Sequence, residues 1–161
     1  MVEKRVNIAL VDDHTLFRTG LRGLLSMREE FNVVADVGSG EEFLEMLPSL
    51  DVDVVFMDIS MPGINGVETT RRALQQRPDL HVIALSMYGD DHFYKLMLDS
   101  GASGFLLKDS DIEEVYASVD AVSEGDSYFS EALLSSFTRN MSRLALPDAP
   151  TEDSLSDREV E

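Results

Sequence analysis

Along the first 125 residues, short apolar runs alternate with longer stretches in which apolar residues recur every three or four positions. The runs at 6–11, 31–37, 52–58, 81–85 and 104–107 are rich in β-branched residues and too short for helices, so they predict buried strands. Between the first two, Leu16, Phe17, Leu21, Leu24 and Leu25 fall at helical spacing and predict an amphipathic helix over 15–27. Ser39-Gly40-Glu41-Glu42 has the form of a capping box and opens a short helix that Pro48 ends. After a loop at 63–66, a helix over 67–76 stops before Pro78. The next is capped by Asp90, turns Phe93, Leu96 and Met97 inward and ends at Ser100-Gly101. Ile112, Val115, Tyr116, Val119 and Val122 define a last helix over 111–124, stopped by Gly125-Asp126. Strand and helix thus alternate five times, the signature of an α/β doubly wound, five-stranded parallel sheet over 1–125.

Past Gly125 the pattern changes. Residues 126–145 read as an extension in which Ser130 caps an extra C-terminal helix with Leu133, Leu134, Phe137, Met141 and Leu144 along one stripe. That stripe is suited equally to pairing with a second chain and to packing back on its own domain. Residues 146–154, with two prolines and three acids, read as a linker, and 155–161 as the opening of a capped helix.

Composition narrows the partners. With 13 Lys and Arg against 31 Asp and Glu the net charge is −18, which opposes binding of nucleic acid or an anionic membrane by this polypeptide itself. Without cysteine there is neither a disulfide framework nor a thiolate metal site. No apolar run reaches the roughly 18 residues that cross a bilayer, and no basic segment precedes an apolar one at the N-terminus. A soluble cytoplasmic protein is the expectation.

The candidate chemistry lies where the strands end. Asp12 and Asp13 follow the first strand, Asp58 ends the third, Ser86 follows the fourth and Lys108 the fifth. In parallel strands all of these gather at the carboxyl edge of the sheet, where open α/β sheets bind their ligands. Three crowded acids repel, so at least one has a raised pKa unless a cation neutralises them. A hard divalent ion such as Mg²⁺, held by one or two carboxylates and a phosphate oxygen, resolves the conflict. An aspartate so placed can accept a phosphoryl group, with the metal and Lys108 on its oxygens and Ser86 supplying a hydroxyl.

Taken singly, every one of these residues has an ordinary structural use: Asp12-Asp13 as a solvated turn, Asp58 as a turn former before Pro62-Gly63, Ser86 and Lys108 as surface groups. Their recurrence at four strand ends favours the chemical reading. His14 beside the acids invites a Zn²⁺ or Fe reading, but without a second histidine nearby it is read as an exposed residue at a helix start.

Asp12-Asp13, Asp58 with Met61-Pro62-Gly63 behind it, Ser86, and Phe105 three positions before Lys108 together resemble a response regulator receiver domain of two-component signalling. Val11-Asp12-Asp13-His14, Leu106-Leu107-Lys108-Asp109 and Gly125-Asp126-Ser127-Tyr128-Phe129-Ser130 are similar to the NarL/FixJ subfamily, and 155–161 resembles the opening of a LuxR-type helix-turn-helix domain. The resemblance implies a flavodoxin-like fold with strand order 2-1-3-4-5. It further implies that Asp58 is the phosphoacceptor, that Asp13, Asp58 and the Ser60 carbonyl bind Mg²⁺ with Asp12 acting through water, and that Ser86 and Lys108 contact the phosphoryl group. Phe105 would be the switch aromatic.

By the same resemblance the partners are a sensor histidine kinase, a second copy after phosphorylation, and DNA only through a C-terminal domain just inside which this chain ends; no membrane is involved. The protein would be a phosphoacceptor with autodephosphorylation, not a turnover enzyme. Two departures stand out: Asp109 replaces the proline that commonly follows the lysine across a cis bond, leaving that peptide's isomer open, and Met87 replaces a small residue, narrowing access to Asp58.

Two rival readings remain. Asp51-Val52-Asp53-Val54 matches the Asp-x-Asp-x-Val pattern of haloacid-dehalogenase-like phosphatases, although here the apolar run follows the motif. A receiver-like interaction module that is never phosphorylated is the other.

Overall fold

The computed structural model describes residues 5–61, 63–87 and 91–129, and of 91–94 the backbone only. The expected cap at Asp90, the turn residue Pro62 and everything expected beyond 129 (the extra helix, the linker and the helix-turn-helix opening) lie outside the described residues.

Strands β1 (Val6–Val11), β2 (Phe31–Val37), β3 (Val54–Asp58), β4 (His81–Ser86) and β5 (Gly104–Leu107) pair in parallel in the order β2-β1-β3-β4-β5. A sixth strand, β6 (Tyr128–Phe129), adds in parallel to β5 and makes the sheet six-stranded, where the sequence predicts five. The helices are α1 (Thr15–Ser26), α2 (Gly40–Met46), α3 (Gly66–Gln76), α4 (Asp91–Ser100) and α5 (Ile112–Ser123). Leu47–Ser49 adds one 3₁₀ turn where Pro48 ends α2. This is the flavodoxin-like doubly wound architecture. No described helix is long and apolar enough to cross a membrane.

All five residues of β3 are buried, as a central parallel strand covered on both faces requires. Strand alternation divides the core. Ile8, Leu10, Phe56, Ile83, Leu85 and Leu106 pack with Leu21 and Leu25 of α1 and Val115, Val119 and Val122 of α5. Their buried neighbours in sequence, such as Met57 and Phe105, lie outside that cluster. Leu16, part of the expected apolar stripe of α1, is 88 % exposed, so that stripe extends past the sheet it covers.

Local sequence sets the helix starts. The Ser39 side chain accepts the Glu42 amide at 3.1 Å, half of the predicted capping box. Asp111 caps α5 by accepting the Glu114 amide at 2.9 Å. Asn65 caps α3 through the Glu68 amide at 3.0 Å, which starts that helix at Gly66. Gly101, at φ 105°, ends α4 in a left-handed turn as expected.

Candidate functional site

The register of the sheet brings the strand ends together. Asp58 is level with Leu85, and Ser86 with Leu107, so the residue after each end emerges at one edge. Asp12 is fixed from the backbone as well: its amide donates to the Val37 carbonyl, and its own carbonyl accepts from Arg18. Arg18 is itself paired with Asp36 of β2. The amide of Ile59 donates to the Leu85 carbonyl at 3.2 Å, and that of Lys108 to the Ser86 carbonyl at 2.8 Å. These bonds carry the ladder one residue beyond β3 and β5.

Within this frame the Asp58 side chain is 2 % exposed. Its Oδ1 accepts the Ser60 amide at 3.1 Å, while its Oδ2 has no hydrogen-bond donor. Lys108, whose side chain is 4 % exposed, sets its Nζ 3.4 Å from that Oδ2 and 2.8 Å from Oδ2 of Asp12. The contact with Asp12 is an ion pair without hydrogen-bonding angles, so this second buried oxygen also lacks a donor. The Lys108 ammonium also lies 4.9 Å from the ring centre of Phe17. One cation thus faces two buried carboxylates, with the partly exposed Asp13 beside them.

Burial and the neighbouring Asp12 charge push the Asp58 carboxyl up to about 6, against the lowering pull of the Ser60 amide and of Lys108. This is the perturbed acid that crowding predicts. Leaving carboxylate oxygens buried without donors is costly unless a ligand completes them. Their all-oxygen chemistry, in a pocket formed by Asp12, Asp13 and Asp58, fits a hard divalent cation.

The structure places the other predicted residues at different distances from this centre. Ser86, buried at the end of β4, is beside the Lys108 backbone. Phe105 is buried in β5, in register with Ala84. Ser60 is exposed and reaches Asp58 through its amide. Met87 is 57 % exposed. The Lys108-Asp109 bond is trans, no cis peptide occurring among the described residues.

His14 is where the sequence reading placed it, with a ring direction that reading did not address. It precedes α1 and is 54 % exposed as expected, yet its Nδ1 turns inward, 2.9 Å from Lys108 Nζ and 3.1 Å from Asp12 Oδ1. Its position directly after the acidic pair was the available signal. The phosphatase rival fails on placement: Asp51 and Asp53 precede β3 at the opposite edge of the sheet, where Asp53 accepts the Asn7 amide at 2.8 Å.

Residues 8–120 match the response regulator receiver domain family. The chain is 37% identical over 159 residues to the transcriptional regulatory protein DegU of Brevibacillus brevis, covering 99% of this chain and 67% of that protein. It is 34% identical over 156 residues to the response regulator GacA of Pseudomonas aeruginosa, covering 97% and 72%. Among solved structures, a LuxR-family two-component response regulator from Aurantimonas sp. SI85-9A1 superposes with a TM-score of 0.82 at 28% identity, covering 86% of this chain and 99% of that one. The isolated REC domain of RcsB from Salmonella enterica serovar Typhimurium, solved with the phosphomimetic BeF3-, gives 0.75 at 26% identity, covering 81% and 96%. With the doubly wound sheet and the acid-lysine cluster at its carboxyl edge, these matches establish that the chain belongs to the response regulator receiver domain family of two-component systems, with relatives of the LuxR type.

Proposed function

We propose that Asp58 accepts a phosphoryl group from a sensor histidine kinase and that the modified domain controls a C-terminal DNA-binding domain in the cytoplasm. One observation carries this reading: a buried carboxylate oxygen of Asp58 without a donor, at the end of the central strand and 3.4 Å from a buried ammonium. In the transfer, that oxygen forms a bond to phosphorus as the bond from phosphorus to the kinase imidazole breaks, the electron pair leaving with the imidazole nitrogen. An acid with a pKa near 6 is mostly ionised at neutral pH while more basic than an ordinary aspartate, which suits a nucleophile.

Asp13 and Asp58, with the Ser60 carbonyl, would hold Mg²⁺, and Asp12 would act through water. When bound, the ion supplies positive charge that neutralises the phosphoryl oxygens. Lys108, 3.4 Å from Oδ2 of Asp58, would contact the same oxygens, and Ser86 would donate its hydroxyl. Added charge at Asp58 would draw both inward, and Phe105, three residues before Lys108 on β5, would follow. The output would be dimerisation; RcsB dimers have been seen bound to DNA. Transfer of the phosphoryl group to water, in which a water oxygen bonds to phosphorus as the bond from phosphorus to the Asp58 oxygen breaks and inorganic phosphate leaves, would return the domain to its ground state, so that it serves as a timed acceptor and not as a turnover enzyme.

The test is intact-mass spectrometry after incubation with acetyl phosphate and Mg²⁺. A single phosphoryl adduct on the native chain, absent from Asp58→Asn, is expected. An adduct that survives the substitution would move the site elsewhere, and no adduct on either protein would favour the unmodified interaction module.

A further inference from the structure

We infer that His14 is a fourth ligand of this cation site, making it accept a divalent transition ion of the Fe²⁺, Co²⁺, Ni²⁺ and Zn²⁺ class in preference to Mg²⁺. The inference rests on the reading of Asp58 and its neighbours as a cation site and adds a ligand that reading does not use. A receiver pocket built of carboxylates and a carbonyl is an oxygen site, and oxygen sites suit Mg²⁺. An imidazole in the ligand set changes the preference, because a nitrogen donor strengthens binding of the later first-row ions far more than of Mg²⁺.

The geometry is that of a ligand set. The Nδ1 of His14 lies 3.1 Å from Oδ1 of Asp12, 3.6 Å from Oδ1 of Asp13 and 3.9 Å from Oδ2 of Asp58. An ion about 2.1 Å from each ligand sets adjacent ligands about 3.0 Å apart and opposite ones about 4.2 Å apart, and the three separations fall within that interval. Ligand atoms of all four residues lie within 4.8 Å of one another. Two of the carboxylate oxygens aimed into the cluster, on Asp12 and Asp58, are buried and lack hydrogen-bond donors, which marks the cluster as incomplete by itself.

The direction of the imidazole is the further point. A half-exposed histidine preceding a helix is free to face solvent, and its side chain makes no cap to α1. Instead Nδ1 turns inward, in hydrogen-bonding contact with Oδ1 of Asp12 at 3.1 Å and with the Lys108 ammonium at 2.9 Å, the cation that lies among these acids in the described residues. In the tautomer protonated at Nε2, the Nδ1 lone pair that faces the ammonium would face a metal ion in its place, and such an ion would release Lys108 toward the phosphoryl group.

Calorimetric titration of the full chain with Co²⁺ and with Mg²⁺, for the native protein, His14→Ala and Asp58→Asn, tests this. Co²⁺ is expected to bind the native chain more tightly than Mg²⁺. His14→Ala should weaken Co²⁺ about tenfold or more, a loss at least that of disturbing an outer-shell partner, while changing Mg²⁺ binding less than about threefold. Retained Mg²⁺ binding also shows that the variant folds. In proton NMR of the Co²⁺-loaded native protein, a hyperfine-shifted imidazole resonance should appear and be missing from His14→Ala. Equal weakening of both ions, or Co²⁺ binding that His14→Ala leaves unchanged, overturns the inference while the Asp58 reading stands. Co²⁺ and Mg²⁺ binding untouched by Asp58→Asn would overturn both.

Discussion

The ammonium of Lys108 lies 2.8 Å from Oδ2 of Asp12, joining the end of β5 to the end of β1 across the intervening strands β3 and β4. Because both side chains are almost fully buried, this contact is not the weak pair of an exposed surface. Lys108 is the charge that allows Asp12 and Asp58 to coexist in the metal-free fold. Lys108→Met, which keeps the aliphatic stem, should lower the unfolding free energy at pH 7 in EDTA by about 3 kcal/mol. Urea titrations with and without Mg²⁺ check this, since a bound ion should recover most of the loss. An equal loss in both buffers would place the effect in the contact of the lysine with Phe17 instead.

The raised pKa of Asp58 has a definite sign in stability. Between about 4 and 6 the unfolded chain releases this proton before the folded one does, so folding is coupled to proton uptake. The contribution is fully present below the unfolded value and is lost as pH rises through about 6. Metal-free native protein compared with Asp58→Asn should therefore show a stability difference that falls by a few kcal/mol from pH 4 to pH 7, then levels. Saturating Mg²⁺ should reverse the trend, because the ion binds the carboxylate and not the acid. A flat difference in EDTA would mean that Asp58 titrates like an exposed aspartate.

Asp13 is the most exposed acid of the cluster and belongs to no strand, so replacing it should disturb the fold little while removing one carboxylate of the candidate cation site. Asp13→Asn should weaken Mg²⁺ by about tenfold or more in calorimetric titration. Asp53→Asn, at the far edge of the sheet, should leave it unchanged. Equal effects of the two substitutions would show that Mg²⁺ is held only by the diffuse negative charge of the chain.

The parts of this site that were legible in the sequence share one physical cause. Asp12, Asp58 and Lys108 each directly follow a run of apolar residues that parallel strands require, so burial of the run fixes the edge at which the polar residue emerges. Ser39 was legible because a cap acts within one turn. What could not be read depends on direction or on very short segments. Whether the His14 imidazole turns in or out is set by how the chain leaves β1, which spacing does not encode. Tyr128–Phe129 is too short to show any period and becomes a strand only because β5 offers an open edge. Asn65-Gly66 reads as a turn, yet Asn65 starts α3 by capping it.

Gly66 offers the sharpest test of how closely the fold holds Asp58. A β-carbon built there would lie 2.3 Å from the Asp58 carbonyl oxygen and 2.7 Å from the Ile59 α-carbon, both backbone atoms that cannot rotate away. The first turn of α3 is thus pressed against the peptide that carries Asp58. Gly66→Ala should cost about 1–3 kcal/mol, the range of an overpacked core. It should also slow labelling by acetyl phosphate, because the backbone that must yield is that of Asp58 itself. Gly23, inside α1, provides the contrast, since nothing lies within 4 Å of its added β-carbon. Gly23→Ala should stabilise by about 0.5–1 kcal/mol, as alanine does in a helix interior, and leave labelling unchanged. If Gly66→Ala lost stability but labelled at the native rate, α3 would have moved in place of Asp58, and the Asp58 carboxylate would be held by β3 and the Ser60 amide alone.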